Sequence, residues 1–277
     1  SLRDERFDCA ILLQNAFEAA LVARLAGIPR RIGYDRDGRR WLLTGAVPVP
    51  KPGEIPRHER FYYLELLRRA GLIERIPAVE EIRLDGAAQA ASEGARRFAE
   101  AGIHTPVVGV SPGAAYGNAK RWLASHFAQA AAQTAGGSTV AVFGSTGERE
   151  LCREVAESLR RLGVPVRDFA GETTLRAFID MAAACRLYLT NDSGSMHIAS
   201  ALGVPTVAIF GSTDDSTTGP TGPLARVVRE PVECSPCLLR ECPIDHRCMT
   251  RVPPERVVRV ARELLIIKES PHGSEKR

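Results

Sequence analysis

From Ala88 onward the chain alternates short apolar runs with longer helix-patterned stretches, and that alternation leaves few folds open. The helix-patterned stretches are Ala88–Ala101, Trp122–Ala135, Glu148–Leu162, a segment from Thr173 or Thr174 to Ala184, Ser195–Leu202 and Pro254–Ile267. Strand-like runs lie at Val107–Ser111, Thr139–Phe143, Val164–Asp168, Leu187–Thr190, Thr206–Phe210 and Arg226–Val228. Gly102, Gly136-Gly137 and Gly163 read as helix stops, and Pro254 as a helix start. Strands separated by helices of roughly 10–15 residues build βαβ units. Their right-handed crossovers give a doubly wound parallel sheet covered on both faces. Residues 86–277 are therefore expected to form an α/β domain.

Residues 1–85 read differently. A strand-like Cys9–Leu13 precedes an amphipathic segment, Ala16–Leu25, stopped at Gly27-Ile28-Pro29. A basic stretch follows, in which Arg24, Arg30, Arg31, Arg36, Arg39 and Arg40 face only Asp35 and Asp37. A second helix is expected over about Arg57–Ala70, ended by Gly71, and Ile76–Gly86 reads as a linker or edge strand. These elements are too few for a stand-alone sheet domain. The expectation is the remainder of an N-terminal domain whose front end is missing, with the closing helix 254–267 packing back on it.

Composition narrows the function classes. At 44% hydrophobic and 25% charged residues the chain is too apolar for a disordered protein. Its net charge of +4 comes with scattered aromatics, not with the basic, stacking stripe of a nucleic-acid binder, so no nucleic-acid partner is expected. No apolar run reaches the ~18 residues of a membrane span; Phe7–Ala26 is broken by Gln14, Asn15, Glu18 and Arg24. The opening SLRDER does not read as a secretion leader. Seven cysteines, an odd number, do not read as a disulfide framework, and a cytoplasmic setting is expected.

In a doubly wound sheet, ligands bind outside the carboxyl ends of the strands, and four of those ends are unusual. Ser111–Trp122 reads SPGAAYGNAKRW: Gly113 and Gly117 allow close approach of an anion, and Lys120 sits near the start of the next helix. Backbone N–H groups, a helix dipole and an ammonium together make a phosphate site; a flexible turn with a solvated lysine is the other reading. The loop lacks the Gly-Lys-Ser/Thr ending of a Walker A motif. AVFGST (Ala141–Thr146) and AIFGST (Ala208–Thr213) nearly repeat each other. Their hydroxyls either face a ligand or cap the next segment. In LTNDSGSMHIASALG (Leu189–Gly203), Asp192 or Ser193 either caps a helix or lets its N-terminal amides face a diphosphate, with His197 within about one turn of that start.

The segments GAAYGNAKRW, TNDSGSMHIASALGVPTVAIFGSTD and SLRDERFDCAILLQNAFEAALVARLAGIPRRIGY resemble glycosyltransferase family 9, the heptosyltransferases of lipopolysaccharide inner-core assembly, and among them the heptosyltransferase II type. The resemblance runs from Ser1 to about Leu265. It implies a GT-B fold, with two Rossmann-like domains, the N-terminal one incomplete here. It also implies inverting transfer of heptose from ADP-heptose to the inner core at the cytoplasmic face of the inner membrane, with transient membrane-surface contact and without cofactor or bound metal. Carried over residue by residue, Lys120 contacts the diphosphate. Asp192, Ser193 and Gly194 hold phosphates and sugar, with His197 beside them. Gly144 and Ser145 border the nucleoside, and Gly113 and Ala114 form the phosphate loop. Two departures stand out. Leu123 follows Trp122 where the family usually has Pro. Nothing in Ser1–Phe17 matches the family's Gly-rich loop with its general-base carboxylate, so no catalytic residue is assigned and the base is expected upstream of Ser1. The alternatives are a nucleotide-sugar-binding fragment without transfer, or a family 9 transferase of different sugar specificity. A nicotinamide-dependent dehydrogenase ranks last, because no G-x-G-x-x-G string exists. The arginines of the 24–40 stretch suit either a phosphorylated, acidic acceptor or a solvated face.

One further cluster stands apart. Cys234, Cys237, Cys242 and Cys248 fall within 15 residues, in a C-x2-C-x4-C-x5-C spacing with Pro236 and Pro243 between them. A structural metal and redox-labile thiols are both open readings. Cys9, Cys152 and Cys185 fall in strand or helix patterns and read as core or near-surface residues.

Overall fold

The structure is a computed structural model that describes residues 1–78 and 81–269. The chain divides into two compact units, Ser1–Ala78 and the remainder.

The first unit holds β1 (Cys9–Leu12), α1 (Phe17–Leu25), β2 (Arg30–Tyr34), β3 (Gly45–Val47) and α2 (Glu59–Arg69), with the strands parallel in the order β1-β2-β3. Its small core joins Ile32, Tyr34, Val47 and Leu66. Arg39 is fully buried beside this sheet. Its guanidinium donates to the carbonyls of Tyr34 (3.0 Å) and Gln14 and to Asn15 Oδ1 (3.2 Å), tying the β1–α1 loop to the end of β2. Those acceptors make the burial of a cation tolerable, and burial lowers its pKa from the ordinary arginine value. Neighbouring arginines bind within the same unit, most of them at its surface. Arg24 lies over the Trp41 ring, 5.4 Å from its centroid, and Arg31 donates to the carbonyls of Leu42, Ile28 and Pro29. Arg36 pairs with Asp37, and Arg40 with Asp35. Much of the basic stretch therefore holds its own unit together.

The second unit begins with α3 (Ala87–Glu100), followed by β4 (Val107–Ser111), α4 (Ala124–Ala135), β5 (Thr139–Val142), α5 (Arg149–Arg161) and β6 (Val166–Asp168). Then come α6 (Leu175–Ala183), β7 (Leu187–Asn191), α7 (Gly194–Ala201), β8 (Thr206–Phe210), α8 (Asp215–Thr218), β9 (Ala225–Arg229), α9 (Arg247–Thr250) and α10 (Pro254–Glu269). All six strands are parallel, in the order β6-β5-β4-β7-β8-β9. This is the doubly wound order in which chain direction across the sheet reverses between β4 and β7. Every residue of β4, β5, β7 and β8 is buried, which explains their continuous apolar runs. One core packs α4, α5 and α10 on one face, and a second packs α3, α6 and α7 on the other. Gly94 lets α3 close onto α6: a Cβ there would lie 2.0 Å from the Asp180 carbonyl oxygen. The closing helix α10 lies against α4, β8 and β9.

Among the element boundaries that differ from the sequence expectation, two have clear local reasons. The helix expected from Trp122 begins at Ala124, and Lys120 lies in a preceding 3-10 turn, Asn118–Lys120. Leu123 occupies the cap with φ −64°, a value proline shares, so leucine at this position fits the same helix start. The strand expected from Val164 begins at Val166, because Val164 N–H bonds the Leu159 carbonyl while Gly163 N–H bonds that of Arg160. That pair of bonds closes the C-terminus of α5.

Candidate functional site at the switch point

The reversal between β4 and β7 sends the segments after these adjacent strands to opposite faces, opening a crevice at their carboxyl ends. Asn191, fully buried at the end of β7, stitches the two ends together. Its side-chain carbonyl accepts from Trp122 N–H at 3.0 Å, and its amide donates to the Pro112 carbonyl at 2.7 Å. Trp122 Nε1 donates in turn to the Val252 carbonyl at 3.0 Å. The Ser111–Trp122 loop is thus clamped at both of its ends. Asn191, which lies in the T-N-D-S-G string, serves backbone groups of another loop with its side chain.

Within that frame Lys120 Nζ lies 2.6 Å from Asp192 Oδ2, with side chains 15% and 6% exposed. Thr213 Oγ1, at the end of β8, donates to the same oxygen at 2.7 Å. Three strand ends singled out from the sequence, those of β4, β7 and β8, therefore converge on one carboxylate. The helix-cap reading of Asp192 does not hold, because its carboxylate faces Lys120 and Thr213. Thr213, one hydroxyl of the repeated string, is the residue that joins β8 to the site.

Ser193 occupies the N-cap position of α7 without a side-chain cap. Its hydroxyl instead contacts Ser195 Oγ at 2.8 Å and Thr190 Oγ1 at 3.2 Å. Gly194 begins the helix in open space, and His197 is exposed in its first turn. The helix start beside Lys120 thus has no side chain on its first amides, the arrangement that suits an anion.

The first copy of the repeated string behaves otherwise. Ser145 and Glu148 form a capping box, with Glu148 Oε2 accepting from Ser145 N–H and Oγ–H, both at 2.8 Å. Capping, the plainer reading for this copy, describes the Ser145 side chain. The same carboxylate reaches over the phosphate-loop candidate, since a Cβ on Gly113 would lie 1.9 Å from Glu148 Oε1. Ala114 is buried next to Gly113, and its carbonyl accepts from Arg121 at 3.3 Å. Gly144 faces Cys152 Sγ.

The cysteine-bearing segment is part of this rim. Tyr116 O–H donates to the Leu238 carbonyl at 2.9 Å, Ala119 N–H to that of Arg240 at 3.0 Å, and Cys242 N–H to Asn118 Oδ1 at 3.4 Å. Leu238 N–H donates to the Ser212 carbonyl at 2.8 Å, so the segment also holds the end of β8. All seven cysteines are free thiols. Among the described residues no group of three or more His, Cys, Asp or Glu side chains is arranged to hold a metal ion. The segment with the four-thiol spacing forms a strap across the phosphate-loop candidate. Its signal in the sequence, two prolines and four cysteines, concealed a contact made by backbone groups.

A model of glycosyltransferase family 9 (heptosyltransferase) matches residues 1–247. The chain belongs to glycosyltransferase family 9. The lipopolysaccharide heptosyltransferase 2 of Escherichia coli strain K12 is 35% identical over 235 residues, covering 83% of this chain and 67% of that protein. The lipooligosaccharide heptosyltransferase 2 of Campylobacter jejuni serotype O:2 is 38% identical over 162 residues, covering 57% of this chain and 51% of that protein. This family 9 chain thus spans about half the length of its Campylobacter relatives. Among solved structures, the E. coli ADP-heptose lipopolysaccharide heptosyltransferase II superposes with a TM-score of 0.76 at 30% identity, covering 97% of this chain and 80% of that one. That likeness makes the α/β architecture the GT-B type.

Proposed function

We propose that this family 9 chain is an inverting glycosyltransferase that moves heptose from ADP-heptose to the inner core of lipopolysaccharide. The names of its relatives support the reaction class, and the Lys120–Asp192 contact beside the start of α7 is the observation that carries the site. In this reading the second unit takes the donor and the first unit belongs to the acceptor side. The chain works at the cytoplasmic face of the inner membrane, in transient contact with its surface. Among the described residues no helix is long and apolar enough to cross a membrane.

The donor's diphosphate sits between Lys120, the loop Gly113–Ala114 and the first amides of α7 at Ser193 and Gly194. His197 lies beside it, and Gly144 and Ser145 border the nucleoside. Asp192 takes both of its bonds from Lys120 and Thr213 on Oδ2, so Oδ1 is left to accept from a sugar hydroxyl. As the glycosidic bond to the diphosphate breaks, negative charge gathers on the departing ADP. Lys120 and the α7 amides are already aimed at that charge, which is electrostatic catalysis by fixed donors.

Calorimetric titration with ADP, UDP and NAD tests the site, and turnover of ADP-heptose with a heptose-deficient core acceptor tests the reaction. Binding of ADP without NAD is expected. Failure to bind ADP would remove the donor reading, and binding without turnover would leave a nucleotide-sugar-binding fragment.

A further inference from the structure

We propose that Arg240, carried in by the cysteine-bearing strap, is a second cation of the diphosphate site, held in place by the Tyr116 ring. The inference rests on the donor reading above and extends it to a residue outside the strand-end loops.

Charge at the rim motivates it. Lys120 is matched by Asp192 at 2.6 Å, and Glu148 adds a second carboxylate over Gly113. A nucleoside diphosphate brings at least two further negative charges, which one matched ammonium and a helix start of about half a unit charge do not balance. Arg240 supplies what is lacking. Its side chain is exposed and has no acidic partner among the described residues. Its guanidinium lies 5.2 Å from the Tyr116 ring centroid, and Lys120 Nζ lies 4.9 Å from the same centroid. The Tyr116 ring, electron-rich on its faces, therefore gathers two like charges. The Arg240 backbone and the Tyr116 ring are both anchored. The Arg240 carbonyl accepts from Ala119 N–H at 3.0 Å, and Tyr116 O–H donates to the Leu238 carbonyl at 2.9 Å. A planar guanidinium can take two oxygens of one phosphate at once, a grip that lysine cannot supply.

The test is calorimetric titration of wild type, Arg240→Ala, Arg240→Lys, Tyr116→Ala and Lys120→Ala with ADP and with adenosine, beside thermal unfolding of each. Arg240→Ala is expected to weaken ADP about tenfold, the effect of one charge-assisted contact, and to leave adenosine binding and the unfolding temperature unchanged. Arg240→Lys is expected to recover part of the loss, and Tyr116→Ala to reproduce most of it. The salt dependence of ADP binding should become shallower in Arg240→Ala. Unchanged ADP affinity in Arg240→Ala, with a loss in Lys120→Ala, would overturn this inference and leave the donor reading standing. Equal losses for ADP and adenosine would assign Arg240 to packing and overturn it too. A wild type that binds no ADP would overturn both.

Discussion

Lys120 Nζ and Asp192 Oδ2 stand 2.6 Å apart across the point where the sheet reverses its winding. Neither residue is near the other in sequence, and the pair exists only because β4 and β7 are neighbours. Lys120→Ala removes the ammonium aimed at the diphosphate and leaves Asp192 buried with Thr213 as its remaining partner. ADP affinity is expected to fall more than adenosine affinity. Because breaking a buried pair strands the other charge, stability is expected to fall by about 2 kcal/mol, less than a fully enclosed pair would lose. The double variant Lys120→Met, Asp192→Asn should regain much of that stability without regaining ADP. Equal losses for ADP and adenosine in Lys120→Ala would remove Lys120 from the phosphate site.

Asn191 gives a separate prediction, because its amide serves two backbone groups of the Ser111–Trp122 loop. Asn191→Leu leaves the Trp122 N–H and the Pro112 carbonyl without their partner in a buried place. Each such group costs about 1–3 kcal/mol, so a loss of about 2–4 kcal/mol is expected. In a Trp41→Phe background, Trp122 emission should shift to the red as the clamp opens. Unchanged emission and unchanged urea midpoint would show that the clamp is not needed.

The alternation of helix and strand made the doubly wound sheet legible, since buried parallel strands must be continuous apolar runs and β4, β5, β7 and β8 are. Of the four strand ends singled out, those of β4, β7 and β8 meet at the Asp192 carboxylate, while the Ser145 side chain after β5 belongs to a capping box. What the sequence did not disclose was who bonds to whom. Nothing in the spacing of Asp192 and Thr213 announces a shared hydrogen bond, and Asn191 acts through partners some 70 residues away. Within the basic stretch only Arg39 is buried, facing carbonyls, while Arg24, Arg30, Arg36 and Arg40 stay exposed; charge count alone does not separate the two. The strap was illegible because its contacts run through the carbonyls of Leu238 and Arg240, which any residue could provide.

Acid should loosen the first unit early. Glu65, buried in α2, accepts from Arg68 Nε and Nη2 at 2.7 Å and from Arg69 Nε at 2.6 Å. Those bonds, Arg68 first, pull its carboxyl from an ordinary 4.5 to about 2. A carboxylate with a lowered folded pKa contributes stability above its unfolded pKa and loses it as pH falls through the folded value. The contribution, about 2 kcal/mol after allowance for solvent around Arg68, is therefore expected to be full above pH 4.5 and to fade toward pH 2. Hydrogen exchange at the β2 and β3 amides should show that fade in wild type and a flatter profile in Glu65→Gln. Identical profiles would exclude Glu65 as its cause.

The seven thiols should separate by reactivity. Burial pushes Cys152 up to about 12 and Cys248 to about 11, and pushes Cys185 up as well, so all three are protonated and enclosed at pH 8. Cys234 is exposed, and Cys9, Cys237 and Cys242 are half-buried. Iodoacetamide in the native state is expected to label Cys234 first and the three buried thiols only after unfolding, as peptide mass spectrometry would read. Early labelling of Cys248 would mean that the core around α9 opens under native conditions.

Two glycines at the rim distinguish packing from ligand contact. A Cβ on Gly117 would lie 2.1 Å from the Arg240 carbonyl oxygen, which is backbone and cannot swing aside. Gly117→Ala must therefore push the strap away, at a cost of about 1–3 kcal/mol. Since the strap carries Arg240, ADP affinity should fall with it, while adenosine binding should persist. Gly194 is the converse case: a Cβ there meets nothing within 4 Å. Gly194→Ala should leave the unfolding temperature unchanged, yet its methyl group would stand at the start of α7 where the diphosphate is placed, so ADP should again weaken. If Gly194→Ala binds ADP as wild type does, the phosphates do not approach the first amide of α7; if Gly117→Ala is as stable as wild type, the strap does not press on the loop in solution. Measuring both variants by thermal unfolding and by ADP titration separates a site built by the loop's own backbone from one completed by the strap that crosses it.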